Sequence, residues 1–269
     1  MKTKIYTLLF MLLVSTLAYA QKEKNFKSKI IFNEIVDDNQ DYKLYIVNAV
    51  STPDYTKFKL RIQNLTNDFL VYDPSKSYFI INGEKVATSE KRLVDVQPYN
   101  FGTMVLDVKN PAGIAKSLAI HIEGISKVSN QGYVLEAPAF EIPASINEIK
   151  VGGFDVLYVP SASKVENEFT ELRFKFTYNG NYVGVLQGNK VALNVNGRDY
   201  AILNSGIKTQ ILFPGESKTI SFKWSFGKGS LDVVNAKLAV VWNKAFMEDK
   251  PKAFAAKTFD LSINPDRSK

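Results

Sequence analysis

The sequence predicts an all-β protein: two tandem antiparallel β-sandwiches that follow a signal peptide. Three observations support this. Short apolar runs alternate with period two and are separated by turn residues, the apolar pattern of the first half recurs in the second, and the first twenty residues have the organisation of a secretory signal.

The N-terminal segment, residues 1–20, has the features of a cleavable signal. Lys2 and Lys4 precede a mostly apolar run, and Ala18-Tyr19-Ala20 supplies the small residues that a signal peptidase recognises. The run falls short of the roughly 20 apolar residues of a membrane span. We therefore expect cleavage between Ala20 and Gln21, and a secreted or periplasmic protein with no transmembrane segment after cleavage.

The composition narrows the class further. The chain has no cysteine, which excludes disulfides, thiol catalysis and cysteine-ligated zinc. Secreted eukaryotic domains of this size often carry disulfides, because their compartment permits them. Their absence from a Lys- and Asn-rich chain favours a bacterial exported protein.

A long internal repeat divides the mature chain. Asn82-Gly83 and Asn196-Gly197 lie 114 residues apart, and each pair follows an apolar run. Offsets between 113 and 120 residues also align Asn33 with Asn147, Leu60 with Phe174, Phe69 with Val183, Leu118 with Leu238 and Phe140 with Phe259. This period is a domain length. The sequence therefore predicts a basic arm at residues 21–29, one sandwich at 30–143 and a second at 144–269.

Each copy has the strand content of an immunoglobulin-like sandwich. Runs such as "FKLRIQ", "TMVLDV", "LRFKFTY" and "KTISFKW" alternate with period two. Both Asn-Gly pairs have the composition of a type I′ hairpin turn. About seven such strands in about 115 residues fit the immunoglobulin-like architecture. Only residues 111–116 and 165–171 favour a short helical turn.

The order of turns resembles that of exported bacterial proteins built from tandem immunoglobulin-like domains. The shared features are an Asn-containing turn, a strand–Asn-Gly–strand hairpin, and a Pro or Pro-Gly entry into an alternating strand. They occur here as Asn64-Leu65-Thr66-Asn67, Asn82-Gly83 and Pro98, and again as Asn179-Gly180-Asn181, Asn196-Gly197 and Pro214-Gly215. The resemblance implies a fold and a compartment, and it assigns no site residues.

The charge is unevenly distributed along the chain. The arm carries four lysines against one glutamate. Residues 30–145 carry 11 basic and 14 acidic residues, and residues 146–269 carry 17 and 12. The basic second domain suggests contact with an anionic surface, although dispersed lysines also protect sheet edges. No nucleic-acid-binding module is present, and export places the protein in the wrong compartment for one.

Two polar-aromatic clusters are the candidate binding residues. They lie at predicted strand ends, where a rigid sandwich places its binding groups. The residues are Tyr99, Asn100, Phe101, Tyr178, Asn179 and Tyr182. Tyrosine stacks on a sugar face and asparagine hydrogen-bonds its hydroxyls. The alternative is that the rings cap the sandwich and the asparagines form turns.

Other candidate residues favour structural roles. His121 is the only histidine, and its repeat counterpart is Val241, so neither a catalytic triad nor a histidine metal site is expected. Residues 37–41 hold three aspartates, but they lack the order of an EF-hand loop, which favours a solvated acidic turn over a calcium site. Trp224 and Trp242 fall in strands and are expected to pack in a core.

The sequence favours a non-enzymatic exported module with no cofactor, no metal and no catalytic residue. It would bind a protein partner or a glycan at the cell envelope or outside the cell, through its loops or a sheet edge. The alternatives are a carbohydrate-binding protein that uses the Tyr/Asn loops and, less favoured, a hydrolase with a dispersed carboxylate site.

Overall fold

The computed structural model describes residues 28–110, 113–202 and 207–269. The predicted signal peptide, nearly all of the predicted basic arm and part of the predicted helical turn at 111–116 lie outside these residues. Strands account for 54% of the structure and helix for 4%, so the predicted all-β class is confirmed. Among the described residues, no helix has the length and apolarity needed to cross a membrane.

The described residues form twenty-six strands. Those of the first half are β1 (Ile30–Ile31), β2 (Ile35–Asp38), β3 (Tyr42–Ser51), β4 (Tyr55–Asn64), β5 (Phe69–Tyr72), β6 (Tyr78–Ile81), β7 (Glu84–Ala87), β8 (Val94–Val96), β9 (Phe101–Lys109), β10 (Leu118–Ile122), β11 (Ile125–Val128), β12 (Tyr133–Leu135) and β13 (Phe140–Ile142). Those of the second half are β14 (Glu148–Val151), β15 (Phe154–Tyr158), β16 (Lys164–Val165), β17 (Phe169–Tyr178), β18 (Val183–Leu186), β19 (Ala192–Val195), β20 (Arg198–Ala201), β21 (Gln210–Leu212), β22 (Ser217–Ser225), β23 (Leu238–Val241), β24 (Phe246–Asp249), β25 (Lys252–Ala253) and β26 (Lys257–Leu261). Three single-turn 3-10 helices are interspersed at Pro74–Lys76, Pro160–Ala162 and Gly188–Lys190.

The strands form two sets of three antiparallel sheets with matching strand orders. In the first set, β3 pairs with β1, β2 and β4, and β4 pairs with β9; the other two sheets run β26-β10-β6-β7 and β25-β11-β5-β8. In the second set, β14-β15-β17 is extended by β16 and β22, and the other sheets run β13-β23-β19-β20 and β12-β24-β18-β21. The sheet topology thus repeats along the chain as the sequence does.

The last strands of each half are exchanged between the two sets. The C-terminal β26 pairs with β10, with Phe259 opposite Ile120. In return β13 pairs with β23, with Phe140 opposite Val240. In the same way β25, from the end of the chain, pairs with β11 of the first set, and β12 pairs with β24 of the second. The division into two immunoglobulin-like domains at residue 143 stays a prediction, and these strands pair across it.

Each set of sheets has its own apolar core. The first is built around Phe58, Leu60, Phe79 and Ile120, and it includes Leu261 from the exchanged C-terminal strand. The second contains many aromatic side chains, among them Phe174, Phe222, Trp224 and Trp242. Both tryptophans are almost fully buried, which confirms their predicted core positions.

A third, smaller apolar cluster joins the two sets. It lies between the sheets that contain β5 and β18. Every residue of these two strands is buried, so both faces of each strand are covered. Phe69 and Val71 from β5 meet Val183 and Val185 from β18 there. The two halves are therefore packed against each other through one face of each of these sheets.

Local turn chemistry follows the sequence at the hairpins and departs from it at one predicted helix. Asn82 and Asn196 each have φ of 51°, and the glycines after them also have positive φ, as a type I′ turn requires. The prediction of a helical turn at residues 165–171 is wrong, because Val165 pairs with Thr170 and β17 is a regular strand. Period-two burial along β17 outweighs the local helical preference.

Candidate binding surface

The outward face of the β2-β3-β4-β9 sheet is the most distinctive surface of the described residues. Along β4 and β9 every second side chain enters the first core, and those between point outward. The outward row of β4 is basic, and aromatic and aliphatic side chains lie on either side of it. We refer to this surface as the cationic face, and its main residues are Tyr45, Lys57, Lys59, Arg61, Phe101 and Val105.

Three cations form a line on β4. Lys57, Lys59 and Arg61 are two residues apart, which in a strand places successive side chains on one side at intervals of roughly 6.7 Å. Among the described residues, none of the three forms an ion pair with a carboxylate. Their charges are therefore available to a ligand.

The guanidinium of Arg61 is held by two aromatic rings. It lies 3.8 Å from the ring centre of Phe101 on β9 and 5.7 Å from that of Tyr45 on β3. The Tyr45 hydroxyl donates a hydrogen bond of 3.0 Å to Gln63 Oε1, which fixes the ring. Cation–π contacts of this kind restrict a long side chain while leaving its N–H groups free.

An open groove continues the face at its other end. Its volume is about 900 Å³, and its lining includes Tyr55, Lys57, Val105, Asp107 and Lys109. The Lys57 ammonium lies 4.7 Å from the Tyr55 ring centre. Lys57 and Tyr55 thus form a second cation–ring pair on β4, and Lys57 is four residues before Arg61 in the sequence.

The first predicted cluster lies at the edge of this face. Phe101 is 41% exposed and belongs to the stack with Arg61. Tyr99 is 69% exposed, and its φ of 54° is left-handed. The equivalent residue of the second half, which is also left-handed, is Gly215. Asn100 has a structural role, because its Oδ1 accepts a 2.8 Å hydrogen bond from the Phe101 N–H.

The second predicted cluster offers less to a ligand. The Tyr178 side chain is fully buried and packs against Phe154 with the two rings tilted by 58°, so its ring is not available for stacking on a sugar. A Cβ on Gly180 would collide with the Tyr178 ring, so the glycine is needed for this close approach. Asn179 donates to Asp155 Oδ2 at 2.7 Å, and Tyr182 alone presents an exposed ring.

The burial of Tyr178 perturbs its ionisation. Its hydroxyl has no hydrogen-bond partner among the described residues. Burial, reinforced by the nearby Glu248 carboxylate, raises the pKa of Tyr178 to about 12. This ring is a structural part of the second core.

The equivalent face of the second half has different chemistry. Glu171, Arg173 and Lys175 occupy the positions of the β4 cations, and Arg173 contacts Glu171 at 3.7 Å and donates to Ser221 Oγ at 2.8 Å. Ser217 stands where the first half has Phe101, opposite Thr177. Lys223 lies 4.7 Å from the Phe169 ring centre on this second face, so a cation–ring pair is present there too. Among the described residues, the arginine held between two rings is found on the first copy, and the position of Arg61 is occupied by Lys175 on the second.

His121 lies on a regular sheet surface. Its Nδ1 is 2.9 Å from Thr258 Oγ1, its Nε2 is 3.5 Å from Glu123, and its ring stacks on Tyr78. A threonine, a histidine and a glutamate therefore meet, but β10 is paired on both sides, so its backbone N–H groups are not free to form an oxyanion hole. These contacts orient the ring across the sheet.

The acidic residues 37–41 diverge instead of converging on one point. Asp37 pairs with Lys257 at 2.6 Å, and Asp41 pairs with Lys127 at 2.9 Å. Asp38 pairs with Lys43 at 2.9 Å. The hydrogen bond that Lys257 donates to the Asp37 carboxylate raises the pKa of Lys257. Within the described part of the chain, no group of three or more acidic or histidine side chains is arranged to hold a metal ion.

Sequence reasoning missed Tyr45, Lys57, Lys59 and Arg61. Their signal was present in "KFKLRIQ", where a basic or polar residue alternates with a core residue. Net charge obscured it, because residues 30–145 carry more acidic than basic residues overall. No family model matches the chain, and comparison with curated proteins likewise finds no match.

Proposed function

We propose that this protein is a non-enzymatic, exported binding module that recognises a carbohydrate through the cationic face, at the cell envelope or outside the cell. The main support is the stack of Phe101, Arg61 and Tyr45, which has no equivalent among the described residues of the second half. Aromatic rings flanked by amide and cationic donors suit the apolar faces and hydroxyls of sugars.

A glycan array with single-residue variants tests this proposal. Phe101→Ala and Tyr45→Ala remove the rings that hold Arg61, so both should weaken binding by about tenfold or more, the equivalent of roughly 1.4 kcal/mol. Tyr182→Ala removes an exposed tyrosine from the second half and is the matched control. The proposal is wrong if no glycan binds, or if Tyr182→Ala is as damaging as Phe101→Ala.

A hydrolase is the second candidate, because two carboxylates line the same groove. Asp54 and Asp107 are both exposed. The pKa of a catalytic acid is usually raised by burial, so the exposure of both carboxylates favours binding over cleavage. Release of reducing ends from a bound polysaccharide, abolished by Asp107→Asn, would establish the hydrolase instead.

A protein partner would be expected at the edge of β9. This nine-residue strand pairs with β4 alone among the described strands, and an unpaired edge can accept a further strand. A partner bound there contacts backbone groups, so it would be captured equally by the wild type and by Lys59→Gln/Arg61→Gln. A ligand of the cationic face would be lost from that variant.

A further inference from the structure

We infer that the ligand of the cationic face is an acidic polysaccharide whose carboxylates are bound by Arg61, Lys59 and Lys57. This inference rests on the proposed function, since it names the class of carbohydrate recognised by the same surface. It is carried by charge complementarity, by the linear arrangement of the cations and by the fixed position of Arg61.

The cations are arranged for a polymer. From Lys57 to Arg61 the line spans about 13 Å, at roughly 3.3 Å per residue of strand. A single small anion would reach only one of these side chains, whereas a chain with repeated carboxylates lying along β4 reaches all three. The side chains of Val47 and Val105 flank Lys59 on the neighbouring strands, and they provide apolar contact for the C–H faces of sugar rings.

Arg61 is suited to a carboxylate. Phe101 and Tyr45 hold its planar guanidinium, and it has no carboxylate partner among the described residues. A guanidinium binds a carboxylate through two parallel N–H···O bonds, and a fixed fork loses less entropy in doing so. In the second half the counterpart of Arg61 is Lys175, which has no planar fork, and the counterpart of Lys59 is Arg173, which contacts Glu171 at 3.7 Å.

The carboxylates of the face do not cancel its charge. Asp38 is engaged by Lys43 at 2.9 Å. Asp107 lies opposite Lys57 in the strand register, beyond ion-pair distance, at the groove end. The positive charge is therefore greatest around Lys59 and Arg61.

The test compares charged and uncharged forms of one polymer by isothermal titration calorimetry. The probes are polygalacturonate and its fully methyl-esterified form, with alginate and hyaluronate as further acidic polysaccharides and single-stranded oligo(dT) as a different polyanion. At least one acidic polysaccharide should bind. The binding should weaken with added salt, and the ester should bind at least about tenfold more weakly than polygalacturonate.

Two double variants with equal charge change locate the site. Lys59→Gln/Arg61→Gln should weaken acidic-polysaccharide binding by about tenfold or more, whereas Lys175→Gln/Lys223→Gln on the second half should change it by less than about twofold. Arg61→Lys keeps the charge but loses the planar fork, so it should be intermediate. Equal thermal unfolding of the variants shows that folding is intact.

The outcomes separate this inference from the function on which it rests. Suppose that the ester or another neutral glycan binds as tightly as polygalacturonate, and that Phe101→Ala abolishes that binding. The carbohydrate function then stands, and the assignment to acidic polysaccharides is wrong. If no polysaccharide binds, both are wrong. Equal losses in the two double variants, or tighter binding of oligo(dT) through the same residues, would also overturn the inference.

Discussion

Tyr99 occupies a backbone conformation that costs free energy. A non-glycine residue with φ near 54° is uncommon, and the equivalent position of the second half has Gly215 with φ of 84°. Tyr99 is also largely exposed, so core packing does not explain the aromatic ring. Strain combined with exposure at the edge of the cationic face is consistent with a role in binding.

Replacing Tyr99 by glycine should therefore separate stability from binding. Tyr99→Gly relieves a left-handed strain of about 1 kcal/mol, so its free energy of unfolding should equal or exceed that of the wild type. Tyr99→Ala keeps the strain and should be less stable than Tyr99→Gly. Urea denaturation measures this order, and both variants should bind carbohydrate more weakly. A Tyr99→Gly protein that is clearly less stable would contradict this explanation.

Asn196 has two roles in its hairpin. It adopts positive φ, and its Oδ1 also accepts a 2.9 Å hydrogen bond from the Lys237 N–H at the entry to β23. Asn82 does the same for Lys116 at 2.8 Å. The requirement for asparagine is thus both conformational and tertiary.

Three substitutions at Asn196 distinguish these roles. Asn196→Gly keeps the turn conformation but loses the acceptor, which should cost about 1 kcal/mol. Asn196→Ala loses both and should cost about 2 kcal/mol. Asn196→Asp keeps both and should be nearest to the wild type. Chemical denaturation gives the values, and equal stabilities of the glycine and alanine variants would contradict the conformational role.

The buried Tyr178 should make the fold sensitive to alkali. Its pKa is raised to about 12 from 10.0. As pH rises through 10, the unfolded chain loses this proton while the folded protein keeps it, so the free energy of unfolding falls until pH reaches about 12. Tyr178→Phe should reduce this fall, and Tyr133→Phe, which changes an exposed tyrosine, should not. Denaturation between pH 9 and about 12 tests this, and equal slopes would contradict it.

At the level of the element, hairpins and strands could be predicted because their signals are local. Asn-Gly fixes a turn, and period-two burial fixes a strand such as β17. The exchange of β13 and β26 could not be predicted, since Phe140 and Phe259 occupy equivalent positions of the repeat. Which sheet each one joins depends on where the chain crosses between the two sets.

The cationic face was hidden for a related reason. Lys57, Lys59 and Arg61 meet Tyr45 and Phe101 only when three strands are placed side by side in register. Tyr99 and Phe101 were found because they adjoin a turn signal in the sequence. The burial of Tyr178 could not be predicted, because the space that Gly180 and Gly184 leave for its ring is a tertiary feature.

The strand exchange predicts a reciprocal effect of two core substitutions. Leu261 is in the C-terminal strand but belongs to the first core, and Ile142 is near the middle of the chain but belongs to the second. Each change to alanine should cost about 2–4 kcal/mol by leaving a cavity. Leu261→Ala should speed hydrogen exchange in β10, and Ile142→Ala should speed it in β23.

Tryptophan fluorescence provides an independent readout of the same exchange. The chain has two tryptophans, and both Trp224 and Trp242 lie in the second core. Ile142→Ala should therefore alter the emission of the folded protein, whereas Leu261→Ala should leave it unchanged. If Leu261→Ala perturbs the tryptophans and accelerates exchange in β23, the pairing of β26 with the first set is wrong.

At the level of the whole molecule, one scaffold is used twice with different surfaces. The two sets of sheets share strand order and pack through Phe69, Val71, Val183 and Val185. Their equivalent outer faces diverge: the first presents Arg61 between Phe101 and Tyr45, and the second presents Lys175 and Ser217 at the positions of Arg61 and Phe101. This division predicts that recognition is confined to the first set.

Nuclear magnetic resonance mapping of the bound ligand tests this claim most directly. An acidic oligosaccharide, such as a short galacturonate oligomer, is titrated into isotopically labelled protein. We predict that the largest amide shifts fall at Tyr45, Lys59, Arg61 and Phe101, with few changes along β17 and β22. Shifts centred instead on Asn179 and Tyr182, or spread equally over both halves, would contradict the assignment of the cationic face as the recognition surface.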